Sequence, residues 1–249
     1  MPLIVNGVEV TKLSSTIQEF LQFTSEKDDQ LKEKSKQLLE ETCKEIGPQK
    51  LLYVNQREYA VVCPSDGSGV TGLGHFDGCG MEGGVEGMMN KISQLARGGP
   101  DGRYELHLAG GFLDDRKQSA KLSLDLIGLL MKLEEEVHLV TLCVTDVNDT
   151  LSGSTHFPII YGLAVGVKTG VVMQATFPSR GPDMDIRSAT HFAGLKKMMD
   201  IYNNESGQLR VGLYHWEPQK DIDLYLALSD PQIRQSKSHP ILRPEYGSR

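Results

Sequence analysis

Apolar residues recur at helical spacing through 14–46, at Ile17, Phe20 and Leu21 and again at Leu31, Leu38 and Leu39, among many Gln, Glu and Lys residues. The pattern predicts two helices broken near Asp28 and Asp29, with Gly47 and Pro48 stopping the second. Apolar runs at 51–55 and 58–63 predict a strand pair. The next stretch, 64–87, is dense in glycine, which removes side chains from any core and loses the most backbone entropy on folding. Little regular strand is expected there, and it is expected to be the least ordered internal segment. Helical spacing returns at 88–96, and 104–108 alternates like a strand ending at Gly110-Gly111. Residues 114–133 form the clearest amphipathic helix, with Leu122, Leu126, Leu129, Leu130 and Leu133 on one side. The continuous apolar run 137–145 suits a strand covered on both faces.

Further strands are predicted at 158–167 and 170–177, joined tightly through Lys168-Thr169-Gly170, then a helix near 184–199 and strands at 209–215 and 222–228. This order of elements predicts an α/β protein: one mixed-sheet domain spanning 1–249, with flanking helices and the N-terminal helical segment packed on its side.

Charge and composition narrow the function. The 26 Lys+Arg against 33 Asp+Glu give a net charge of -7, which repels a polyanion unless basic residues cluster, and no cluster stands out. No nucleic-acid partner is expected. No apolar stretch approaches the ~18 residues of a membrane span, and MPLIVNGVEV lacks the basic region of a secretory signal. The expectation is a soluble, cytoplasmic protein with nuclear entry left open. Cys43, Cys63, Cys79 and Cys143 form no CxxC pair, which argues against zinc and disulfides and for a reducing compartment. No nucleotide fingerprint follows a strand, so no cofactor is expected.

The strings MPLIV (1–5), GPQKLLYVNQRE (47–58), HLAGGFLDDR (107–116), VHLVTLCVTDVND (137–149), HFPIIYGLAV (156–165) and RGP (180–182) lie in an order that resembles the eukaryotic protein N-terminal asparagine amidohydrolase family. The resemblance covers nearly the whole chain. It implies hydrolysis of the side-chain amide of an N-terminal asparagine, giving an N-terminal aspartate for ubiquitin-dependent degradation. The implied partners are proteins or peptides beginning with asparagine; oligomeric state is left open. Such chemistry needs a nucleophile, a base and donors to the oxyanion, and a cysteine thiolate with a histidine supplies the first two. GHFDG, 74–78, matches the family's histidine context, so the resemblance carries over His75 as the catalytic base and Asp77 as part of its local frame.

Two departures from the family pattern accompany this match. The Pro-Ser-Asp-Gly-Ser turn, 64–68, runs almost directly into GVTGLGHFDG, where the family has a long span carrying its nucleophilic cysteine. The chain is therefore expected to be shortened internally near 68–70 and to lack that nucleophile. At its carboxyl end SHPILRPEYGSR stands where the family continues into a helix-bearing tail. Cys79 is the thiol nearest to His75 and the candidate substitute nucleophile; its plainer reading is a reduced cysteine in a loop. Three outcomes stay open: the family's cysteine–histidine hydrolysis, a non-catalytic form that binds N-terminal peptides or partner proteins, and a chain that does not fold stably because the deleted strands leave unpaired edges and exposed apolar surface.

Other polar residues have two readings each. Asp114 and Asp115 either bind a substrate α-ammonium or cap the following helix. Asp146 and Asn148, beyond the buried strand, either line a cleft or form a turn. His107 and His138 read as core-edge residues, with no metal spacing between them.

Overall fold

The computed structural model of the chain describes residues 3–47, 51–66, 69–96, 102–192 and 196–211, and singly 223 and 227. Among these, in chain order, are strands β1 (Leu3–Val5) and β2 (Val8–Glu9), helices α1 (Ile17–Lys27) and α2 (Asp29–Glu40), and strands β3 (Lys44–Glu45), β4 (Glu58–Val62) and β5 (Thr71–His75). Helix α3 (Met81–Leu95), strand β6 (Tyr104–Gly110), helix α4 (Gln118–Leu130) and strand β7 (Val137–Val144) follow. A 3-10 turn (Thr145–Asn148) leads to β8 (Asp149–Ser152), β9 (Thr155–Pro158), β10 (Leu163–Val165) and β11 (Val172–Thr176). Helix α5 (Met184–Phe192) and the short strands β12 (Met199–Asp200), β13 (Tyr202–Asn203) and β14 (Gln208–Leu209) complete the set. The architecture is mixed α/β.

The chain clusters into two compact units, residues 1–181 with 197–210, and 182–196 with 211–249. In the second, the described structure is mainly α5, where Arg187 pairs with Asp183 one turn earlier at 2.7 Å. The first unit holds the sheets.

Its central sheet has the order β2-β1-β7-β6, with β1 and β6 both parallel to β7. β7 is buried along nearly its whole length, as its unbroken apolar run requires. The main core joins Leu3, Val5, Leu139 and Leu142 of this sheet to Ile17 and Phe20 of α1, Val85 of α3, and Ile127 and Leu130 of α4. On α2, Ser35 serves β7 directly: its hydroxyl accepts the Leu142 N–H at 2.9 Å and its carbonyl accepts the Cys143 thiol at 3.3 Å. Burial pushes the Cys143 thiol up to about 11, so it stays protonated and behaves as a small apolar side chain.

Two further sheets have the orders β10-β11-β3 and β12-β4-β5, and β8–β9 and β13–β14 are separate hairpins. The β10–β11 hairpin turns through residues 166–171, where the Lys168-Thr169-Gly170 connection is expected.

Several boundaries differ from expectation. The strand pair at 51–55 and 58–63 is one strand, β4, whose partners are β5 and β12; 51–55 is irregular. The predicted second helix stops at Glu40 rather than near Gly47, and 44–45 pair with β11. There the Gln174 amide donates to the carbonyls of Leu38 and Leu39 at 2.7 and 3.1 Å, satisfying groups that a helix end leaves open. The helix expected at 184–199 ends at Phe192, with β12 at 199–200. The strand expected at 209–215 is described only as β14, 208–209; 212–215 and nearly all of 222–228 lie outside the described residues.

The largest correction falls on 64–87. It holds a five-residue strand, β5, in antiparallel register with β4 from Glu58↔His75 to Val62↔Thr71, and the first two turns of α3. Its glycines act as contact points. A Cβ on Gly87 would lie 2.5 Å from the Tyr59 hydroxyl, and one on Gly84 would run into Met198. Without side chains at these positions, α3 lies close enough for Met88 and Ile92 to cover Tyr59 and Val61.

Asp28 gives two helices their shared boundary. Its N–H donates to the Thr24 carbonyl at the end of α1, and its carboxylate accepts the N–H groups of Gln30 and Leu31 at the start of α2. Asp28→Ala is expected to destabilise the fold by about 1–2 kcal/mol, read as a lower midpoint in urea with an unchanged slope. Gly87→Ala sets a helix-propensity gain of at most about 1 kcal/mol against overpacking on Tyr59 of about 1–3 kcal/mol. A net loss is expected, again from the urea midpoint.

Candidate functional site

The turn 55–58 prepares β4 to receive the end of β5. The Glu58 N–H donates to the Asn55 carbonyl at 3.1 Å, and Arg57 adopts φ +61, a left-handed conformation rare outside glycine. The Arg57 N–H donates to the His75 carbonyl at 2.9 Å, while Glu58 is the register partner of His75. Two residues of one strand thus oppose one of the other, as in a G1 bulge with Arg57 at the position usually held by glycine. His75 is exposed at the end of the ladder. It lies in the alternation of Leu73, on the face occupied by Ala60, Met199 and Ile201; Tyr59 and Val61 point to α3 on the other side.

Two residues on, Asp77 ties the loop to the turn. Its Oδ2 accepts Arg57 Nε–H at 2.6 Å and Gln56 Nε2–H at 2.9 Å, and its Oδ1 accepts the Cys79 N–H at 2.9 Å. The Arg57–Asp77 pair is well covered, with the Asp77 side chain 11% exposed. Arg57 therefore grips the chain on both sides of Phe76, through the His75 carbonyl and through Asp77. Cys79 is half-buried, and its hydrogen bond to Asp77 is made by the amide rather than the thiol. Beside it, Gly78, Gly80 and Met81 line a cleft of about 860 Å³ with Leu13, Gly128 and Leu129, and Glu82, Asp125 and Lys132 add charge to its walls.

The remaining thiols are placed differently. Cys143 is buried and protonated, Cys43 is exposed, and Cys63 is half-buried, with its amide donating to Asn204 Oδ1 at 2.8 Å.

A separate polar group stands beyond the carboxyl ends of β6 and β7. Asn148, fully buried, donates to the Gly111 carbonyl at 2.8 Å and accepts the Ile160 N–H at 2.8 Å, so it forms the turn. Asp146 is exposed and accepts from Gln18 Nε2 at 3.0 Å. Asp149 accepts the Leu113 N–H at 2.9 Å and pairs with His156 Nδ1 at 2.6 Å, an arrangement the strand pattern did not reveal. Thr145 is buried at φ +48, an unusual conformation for a β-branched residue, and among the described residues its hydroxyl has no partner.

Asp114 takes the N–H groups of Arg116, Gln118 and Ser119, so it caps α4. Burial opposes its ionisation, but the hydrogen bonds from Ser119, Gln118 and Arg116 outweigh it and hold the carboxyl below its usual range. His107 Nδ1 lies 2.8 Å from the Thr141 hydroxyl, and burial lowers its pKa; His138 Nε2 lies 2.8 Å from Glu136. Among the described residues no three His, Cys, Asp or Glu side chains are grouped to hold a metal.

Gln56, Arg57 and Glu58 are the members of the His75 surroundings that sequence reasoning missed. They lie inside a family-like string, but nothing in their order marks Arg57 as left-handed or sets the register that brings Glu58 opposite His75.

Comparison with known proteins bears on the same region. The family described as "Protein N-terminal asparagine amidohydrolase" matches residues 65–242. A human protein of that name is 39% identical over 239 residues, covering 87% of this chain and 77% of the human one. The pig protein is also 39% identical, covering 87% and 76%. The mouse protein is 37% identical over 269 aligned positions, covering 99% of this chain and 85% of its own. As this chain has 249 residues, at least 20 of those 269 positions face no residue here. With a family match across most of its length and relatives covered over three quarters of theirs, the chain belongs to the protein N-terminal asparagine amidohydrolase family.

Proposed function

We propose that this chain has the fold of an enzyme that hydrolyses the side-chain amide of an N-terminal asparagine, with His75 as its base, and that it lacks the nucleophile for the reaction. The carrying observation is the family match around a histidine held by the Arg57 bulge and the Asp77 loop. In this reaction a thiolate attacks the carboxamide carbon, and the base passes the thiol proton to the departing ammonia. Water then cleaves the thioester, leaving an N-terminal aspartate and the free thiol. We read the product as a substrate of ubiquitin-dependent degradation, the setting as cytoplasmic with nuclear entry open, and the substrates as proteins or peptides that begin with asparagine.

The missing nucleophile is supported by the aligned positions that face no residue here, which we assign to the connection near 68–70. We read none of the thiols present as its replacement. Cys143 is buried and protonated, and the Cys79 amide rather than its thiol is engaged at Asp77. A second reading, a form that binds N-terminal peptides or partner proteins without turning them over, follows from the same loss of the nucleophile.

The purified chain is expected to release no ammonia above background from a peptide beginning with asparagine, whereas the chain with a family-length, cysteine-bearing segment inserted near 68–70 is expected to do so. Turnover by the chain as it stands would refute the loss of the nucleophile, and its abolition in Cys79→Ser would then make Cys79 the substitute. Failure of the lengthened, folded chain would count against the enzymatic reading.

A further inference from the structure

Across the ladder from His75 stands an acid that strand packing alone does not explain. Glu58 is 4% exposed at the start of β4, on the face shared by Ala60, Leu73 and Met199. A buried carboxylate is unfavourable unless hydrogen-bonded or paired. Its Oε2 accepts the Asn55 N–H at 2.8 Å, which closes the turn and limits where the side chain can go. Direct cross-strand partners of this kind place their Cβ atoms about 4.5–5.5 Å apart on one face, within reach of a glutamate and an imidazole. The bulge falls at this very pair, and a bulge re-aims the side chains beside it.

We propose that Glu58 is a positioning residue for the His75 imidazole, its carboxylate fixed by the Asn55 amide and set across the ladder to hold the ring and favour its protonated form. The proposal rests on the reading of His75 as the base. A base that takes a proton from a thiol becomes an imidazolium, and a carboxylate beside it stabilises that cation and orients the ring. Among the described residues, the other charged groups close to His75 in the chain and ladder are Arg57 and Asp77, which pair with each other. Asp200 of β12 is the register partner of Tyr59, whose side chain points the other way, and is bound by Lys91 of α3. Among the described residues, Glu58 is the acid directly across the ladder from His75.

The test is an NMR titration of the imidazole in the full chain, with the His75 signal assigned by its loss in His75→Gln. The unmodified chain should show a His75 pKa above the ordinary value of about 6.5. Glu58→Gln should lower it by about half a unit to one unit, a reduced effect because the imidazole is exposed and partly screened. The glutamine retains an oxygen for the Asn55 N–H, so the turn closes while the charge is gone, and Glu58→Asp should retain much of the effect. An unmoved His75 in folded Glu58→Gln would overturn the proposal. So would a His75 pKa at or below the ordinary value in the unmodified chain, a measurement that stands even where the variant does not fold. The titration is independent of turnover. An inactive lengthened chain whose His75 still responds to Glu58→Gln would sink the enzymatic reading and leave the pairing standing; an active one with an unmoved His75 would do the reverse.

Discussion

A strand buried on both faces must have its backbone groups bonded sideways and its side chains covered above and below, and β7 imposes that demand on its unit. Parallel partners β1 and β6 meet the first need, and α1, α2 and α4 contribute to the second. Between Leu106 and His107 the β6–β7 register shifts, and Ser35 of α2 supplies the acceptor for the Leu142 N–H nearby. A helix side chain thus completes the hydrogen bonding of the strand. This is why α2 carries a buried serine among its apolar positions, where a residue without a side-chain acceptor would leave an amide unsatisfied at about 1–3 kcal/mol.

The second sheet is built on a different principle, close approach. β4 has bulky side chains on the face toward α3, and the helix meets them with glycines. Tyr59 occupies the space at Gly87, and Met198 that at Gly84. Lys91 of α3 then reaches past the sheet edge to Asp200 and to the Tyr202 carbonyl, tying the helix to β12 and to the β13–β14 hairpin. With its inner face held by that helix, the sheet leaves the opposite face to Glu58 and His75.

How far the sequence could be read follows from what each element depends on. β7, α1, α2 and the core of α4 depend on periodicity and capping, and the apolar stripe, Asp28 and the unbroken run at 137–144 are visible in the chain itself. β5 and the first half of α3 depend on contacts with Tyr59 and Met198, distant in sequence, so their glycines looked like a loop. The hairpin of β1 and β2 had a local signal in Asn6-Gly7, both at positive φ, but two such short strands hold only because β7 lies beside them. At the candidate site, the family-like string pointed to His75. It did not point to the partners of His75, because the left-handed Arg57 and the Glu58 register are properties of the paired strands.

The connection between β4 and β5 lies where a change of length would leave the surroundings of His75 in place. Val62 pairs directly with Thr71, so residues 63–70 close a hairpin whose two strands are already adjacent. Changing the length of such a loop alters its closure free energy only slowly, by about 0.6 kcal/mol per doubling, and it does not move the paired residues behind it. His75 sits at the far end of that ladder, four pairs from the loop, where the bulge and Asp77 fix it independently. β5 is also the outer strand of its sheet, so strands inserted between 62 and 71 would meet that edge first. Loss of a span from such a connection would leave His75, Glu58 and the clamped loop in register, and would remove only what the span itself carried.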